Sequence, residues 1–154
     1  MRTSIAIPVW VLVCFVVGLT ASYFQREALA LWYPILEKSS LTPPNIVFPI
    51  VWSILYLLMG ISVGLVIGSG HPHRRAVMWI FIVQLVLNFM WSILFFYMRN
   101  PLWGLIDIVL LDVVVLLYMA RSYSVHRAAS YLFVPYVLWL VIATYLNGYI
   151  LMNN

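Results

Sequence analysis

Five stretches of this chain are apolar for long enough to cross a lipid bilayer, and that leaves few folds open to it. A membrane-spanning helix needs roughly 20 mostly apolar residues. Residues 5–25, 46–68, 77–98, 102–120 and 130–152 each provide such a run within the 154 residues. Inside hydrocarbon every backbone polar group has to be satisfied by the chain itself, which restricts spanning structures to helices and closed barrels. Runs of this length are helices, because a spanning strand needs only about 9–11 residues. The expected fold is an all-α membrane protein, with residues 1–154 forming a single five-transmembrane-helix bundle. Charge agrees with this, since 8% of residues are charged against about 25% in a soluble domain. The first run follows Arg2 as a signal peptide would. It is longer than a usual signal core and is followed by a poor cleavage site, so it reads as a span.

The breaks between spans differ in kind. Residues 69–75, 99–101 and 121–129 make short connections, which predict antiparallel neighbours. The segment 26–45 is about 20 residues long and holds Trp32, Tyr33, Pro34, Pro43 and Pro44. Loops of that length in small folds are often lids or binding loops. Arg2, Arg74, Arg75, Arg121 and Arg127 fall on one side of the bundle, with Arg26, Lys38 and Arg99 on the other. That asymmetry favours an amino terminus in the cytoplasm. The +4 net charge is scattered, with no basic stripe for nucleic acid. The lone cysteine, Cys14, excludes a disulfide framework and reads as a small packing residue. His71, His73 and His126 all lie in short loops, so no metal site is expected.

Polar groups at membrane depth are expensive and mark sites for function or for helix contact. Gln84, Asn88 and Ser92 recur every four residues in the third span, flanked by Trp91 and Phe95, and share one face. For Gln84 and Ser92 interhelical hydrogen bonding is the simpler role; for Asn88 it stands level with ligand contact. Asp107 and Asp112 are five residues apart, about 140° of helical rotation, so they do not form a paired-carboxylate site. Each suits a bond to a neighbouring helix better than a proton relay. Phe48, Trp52 and Tyr56 line one face of the second span. Pro135, Trp139, Ala143 and Asn147 line one face of the fifth, where Pro135 should kink the helix. An aromatic stripe on one helix is ordinary packing. Two such faces, an opposing Asn88 and an aromatic lid instead suggest an enclosed cavity for a flat, apolar, conjugated ligand. Gly60, Gly64 and Gly68 repeat at the spacing of close helix approach, either within the chain or at a dimer face.

These motifs resemble those of the TspO/MBR family, the tryptophan-rich sensory proteins related to the translocator protein or peripheral benzodiazepine receptor. The resemblance rests on Pro43-Pro44-Asn45-Ile46-Val47-Phe48-Pro49-Ile50-Val51-Trp52 with Leu55-Tyr56 and Met59-Gly60. It continues through Gln84-Leu85, Leu87-Asn88 and Trp91, through Trp103-Gly104 with Asp107, and through Pro135-Tyr136, Trp139, Ala143 and Leu146-Asn147. It implies a five-helix bundle, commonly a homodimer, with a pocket under the first loop that binds protoporphyrin IX and benzodiazepine-type drugs. It also implies a link to stress responses and a light- and oxygen-dependent breakdown of porphyrin, the porphyrin being ligand or substrate and no cofactor being obligatory. By motif position Trp52 and Trp139 would stack on the porphyrin and take part in its photochemistry. Asn88, Trp91, Ala143 and Leu146 would line the pocket with Phe48; Trp103 and Asp107 would lie near it, and Tyr33, Pro43 and Pro44 would belong to the lid, all of them as ligand contacts. Lys38, Arg26 and Arg99 are the cations on the lid side that propionates would need. The spans carry no histidine, which suits metal-free porphyrin better than axially ligated haem. One departure is that the segment after Leu146-Asn147 has no Lys or Arg, so the cholesterol motif of animal members is incomplete. That leans towards a bacterial member and the cell membrane. Alternatives are a transporter of tetrapyrroles or other amphipaths, weakened by the lack of an evident inverted repeat, and a non-catalytic sensor or scaffold.

Overall fold

The first helix outlasts its apolar run. In the computed structural model, which describes residues 1–154, α1 covers Thr3–Leu31, six residues beyond the expected end at residue 25. Its 29 residues at 1.5 Å each span roughly 44 Å, more than the roughly 30 Å of a bilayer core. The last turns, with Arg26 and Glu27, therefore continue as helix past the hydrocarbon. A charged side chain stops insertion into lipid; it does not stop a helix.

A 3₁₀ turn at Tyr33–Ile35 follows, then α2 at Val47–Gly68 and α3 at Arg74–Trp91. The third span continues through Ser92–Tyr97 as a π-helix, a widening often found at functional sites. α4 covers Pro101–Val125, α5 is the short helix Arg127–Tyr131, and α6 covers Val134–Asn153. There are no strands. Five helical segments are long and apolar enough to cross a membrane, α5 and α6 together making the fifth.

Pro135 does not kink the fifth span as expected. The span is interrupted at Leu132 and Phe133, and Pro135 sits in the first turn of α6. A missing N–H costs nothing there, because first-turn donors have no partner inside the helix.

The closest helix pair is α1 with α2. Gly60, Gly64 and Gly68 lie against Val11, Ile7 and Thr3 of α1, and a Cβ added to Gly64 would stand 2.7 Å from the Ile7 Cα. The glycine stripe is thus consumed within the chain and is not free for a second copy. Away from the cavity, Phe81, Tyr118, Phe133 and Tyr136 are buried in the main apolar core, which also holds Cys14. One polar knot ties α2 and α4 to α5. Ser62 donates to the Ala129 carbonyl at 2.6 Å and lies 2.8 Å from the Tyr118 hydroxyl. Because the serine proton is committed to the carbonyl, Tyr118 is the donor in that second bond.

Candidate functional site

Where α1 and α2 part beyond the glycine seam, the bundle encloses a cavity of about 490 Å³. Each wall comes from a sequence pattern. From α2, Phe48, Trp52 and Tyr56 face it at four-residue spacing; from α6, Trp139, Ala143, Leu146 and Asn147. The third span contributes Asn88, Trp91, Ser92, Phe95 and Phe96, and the roof is Tyr33, Pro34 and Lys38.

Asn88 is the centre of the polar floor. The Tyr56 hydroxyl donates to its Oδ1 at 2.8 Å, and its Nδ2 donates to the Tyr136 hydroxyl at 2.7 Å. Three helices therefore meet on one buried amide that also borders the cavity. Four residues on, Ser92 accepts from Gln25 Nε2 of α1 at 2.7 Å. Trp91 donates its indole N–H to Asn147 Oδ1 at 3.0 Å, and Asn147 Nδ2 in turn donates to the Pro101 carbonyl at 2.8 Å. Gln84 meets only the Met59 sulfur, at 4.0 Å, a weak contact.

The aromatic walls are mutually braced. Trp91 stacks on Phe95 with centroids 5.2 Å apart and planes 14° from parallel. Trp52 lies 5.6 Å from Tyr56 and 6.2 Å from Tyr136, and Trp139 lies 5.6 Å from Phe48. Such edge and offset contacts hold rings in set orientations. The Trp139 N–H is buried and has no protein acceptor, so this wall retains one uncommitted donor.

The roof is fastened from both sides. Lys38 Nζ donates to the carbonyls of Tyr33 at 2.8 Å and Leu36 at 3.1 Å, and the ammonium sits 4.8 Å from the Tyr33 ring centroid. Ser39 pairs with the Tyr145 hydroxyl of α6 at 3.0 Å. Asn154 grips Glu37 twice, accepting from its N–H at 2.8 Å and donating to its carbonyl at 3.0 Å. Burial raises the Tyr33 phenol above its ordinary pKa, so the roof ring is neutral at physiological pH.

Four of the expected ligand contacts do not line the cavity. Pro43 and Pro44 do not line the cavity; the Pro44 carbonyl accepts the Val47 N–H at 2.9 Å, so the pair turns the chain into α2. Trp103 is 52% exposed and faces outward. The register of α4 turns Gly104, Asp107 and Ile108 inward and leaves Trp103 on the outer side. Asp107 is buried, but α4 contributes nothing to the cavity wall. Asp112 accepts from Thr144 of α6 at 2.9 Å, a helix-to-helix bond.

The sequence reasoning missed a whole wall. Gly18, Ala21, Ser22 and Gln25 of α1 border the cavity. Small or polar residues recurring three to four positions apart along an otherwise apolar run were the available signal.

The family profile described as TspO/MBR matches residues 10–152. The chain is 40% identical over 144 residues to the tryptophan-rich protein TspO of Archaeoglobus fulgidus, covering 94% of each chain. It is 41% identical over 143 residues to the tryptophan-rich protein TspO of Chlorobaculum tepidum, covering 92% of this chain and 90% of the relative. It is also 32% identical over 144 residues to the human translocator protein, covering 92% of this chain and 83% of the relative.

Proposed function

The chain belongs to the TspO/MBR family, and on that premise we propose that it is a membrane porphyrin-binding protein. It takes protoporphyrin IX, or benzodiazepine-type drugs, into the roofed cavity, and degrades the porphyrin in a light- and oxygen-dependent reaction. The observation that carries this reading is that two indoles from different helices, Trp52 of α2 and Trp139 of α6, border one aromatic cavity of about 490 Å³. Sites for drug-sized ligands run from about 300 to 1,000 Å³ with mainly apolar walls. Conjugated rings gain from offset or edge contact with indole, and a ligand soluble in lipid meets this protein where it already resides.

The chemistry belongs to the pigment. Light excites the macrocycle, dioxygen is the oxidant, and the protein's part is to hold the ring beside oxidisable indoles and away from bulk water. Trp139 offers its unpaired N–H to an acceptor on the ligand. The excess of arginines on the side away from the roof, five against three cations on the roof side, orients the amino terminus to the cytoplasm. In this orientation the roof opens outward.

The test is protoporphyrin IX absorbance and fluorescence with purified, detergent-solubilised protein, in darkness and under illumination. Saturable binding in the dark is expected, with light- and oxygen-dependent loss of the porphyrin bands. Replacing both Trp52 and Trp139 with Phe should abolish the accelerated loss while binding persists; Trp103→Phe, on the outer surface, should change neither. Unchanged loss in the double variant removes the indoles from the reaction. Binding without loss makes the protein a sensor or carrier, and no saturable binding removes porphyrin as the ligand.

A further inference from the structure

We propose that Lys38 is the specificity-determining cation of this cavity, selecting ligands that carry a carboxylate on the edge nearest the roof. The inference rests on the cavity being a ligand site, and it does not require the ligand to be a porphyrin.

Three cations lie on the roof side, and Lys38 alone borders the cavity. Arg99 is committed to Glu27 at 2.6 Å, the only ion pair in the molecule. Arg26 lies against Tyr23 of its own helix, 5.8 Å from the ring centroid. No Asp or Glu lines the cavity, so nothing inside it repels an anion or offsets the lysine charge.

The partners Lys38 does have are all neutral. An ammonium carries three N–H donors. Here two short bonds go to the Tyr33 and Leu36 carbonyls, and a third contact reaches the Pro34 carbonyl at 3.5 Å. That last distance is at the outer limit of a hydrogen bond, so one donor is weakly held. A carboxylate would replace a marginal neutral acceptor with an ionised one, adding the attraction of opposite full charges to a bond that the ammonium alone now assists. Lys38 can therefore take up an anion without releasing the two carbonyls that shape the roof.

Its position is set by its neighbours. Glu37 is held through its backbone by Asn154 and Ser39 through its hydroxyl by Tyr145, so the residue on each side of Lys38 is tied to the last helix or its end. The side chain between them reaches over the Tyr33 ring. A charge fixed in this way before binding loses little conformational freedom on meeting its partner. A neutral ligand would fill the same cavity and leave the ammonium on its carbonyls, so the lysine discriminates by charge and not by shape.

The experiment compares acids with their esters. Protoporphyrin IX and its dimethyl ester, and pyrenebutyric acid and its methyl ester, are titrated by fluorescence against detergent-solubilised wild type, Lys38→Met and Lys38→Arg. A non-ionic detergent is used throughout, and acid-to-ester ratios are compared between variants so that partitioning into micelles cancels. Wild type should prefer each acid by roughly tenfold, the size expected of one charge-assisted bond. Lys38→Met, which also frees the two roof carbonyls, should bring the acid-to-ester ratio to about one whatever it does to overall affinity, with circular dichroism showing that the variant is folded; Lys38→Arg should keep the preference. The same ratio in wild type and Lys38→Met, or no preference in wild type, overturns the proposal. Preference for the pyrene acid with no porphyrin binding would reject porphyrin as the ligand and uphold the lysine's role. Failure of both pairs to bind overturns both readings.

Discussion

Substituting Asn88 with leucine isolates the polar centre of the bundle, because the two side chains are close in size and differ mainly in hydrogen bonding. The amide is buried and joins two tyrosine hydroxyls, accepting from Tyr56 at 2.8 Å and donating to Tyr136 at 2.7 Å. Interhelical hydrogen bonds in membranes are worth about 0.6–2 kcal/mol each. Stranding a buried hydroxyl costs about 1–3 kcal/mol. Tyr56 can still turn its hydroxyl towards the cavity and loses one bond, whereas Tyr136 is enclosed and its hydroxyl is stranded, so the sum for Asn88→Leu is about 2–5 kcal/mol. Tyr56→Phe alone should cost about 1 kcal/mol. The diagnostic variant is the triple change Tyr56→Phe, Asn88→Leu and Tyr136→Phe, which removes all three polar groups together. It should be more stable than Asn88→Leu by at least about 1 kcal/mol, because no buried polar atom is left without a partner. Equilibrium unfolding in mixed detergent micelles, followed by circular dichroism, measures all of these. A triple variant that loses the sum of the single effects would refute the argument, and so would an Asn88→Leu protein within about 0.5 kcal/mol of wild type.

Gly60→Ala drives a methyl group into the Val11 backbone of α1; the helices have to separate, at a cost of about 1–3 kcal/mol, read as lowered thermal stability in detergent. Removing the roof fastening with Asn154→Ala and Tyr145→Phe deletes three hydrogen bonds between the roof segment and the end of the last span. Roof opening should become easier, and dissociation of a bound fluorescent ligand roughly tenfold faster in stopped flow, with little change in the melting temperature. Unchanged dissociation would mean that ligands do not leave under the roof.

The spans were readable from the sequence because an apolar run of 20 residues in lipid has one solution, a helix, whatever its neighbours do. Short connections then fixed antiparallel order. The four-residue spacings of Phe48, Trp52 and Tyr56, and of Trp139, Ala143 and Asn147, correctly placed those side chains on common faces, since helical periodicity is local. How each helix rotates against the others was not readable. In a soluble bundle the polar face identifies the outside; in lipid the outward and inward faces are both apolar, and that marker disappears. This is why Trp103, on a motif-bearing turn, proves to face outward, and why the α1 wall of Gly18, Ala21, Ser22 and Gln25 went unseen. The glycine stripe announced a close approach but not its partner, which turned out to be α1. The fastening of Glu37 by Asn154 joins residues 117 apart, a contact no local pattern encodes. Sequence alone thus determined the number of spans and which side chains share a face. Only the packing of those helices decided which faces meet to enclose the cavity, because that choice depends on steric fit between helices and not on any one helix's own periodicity.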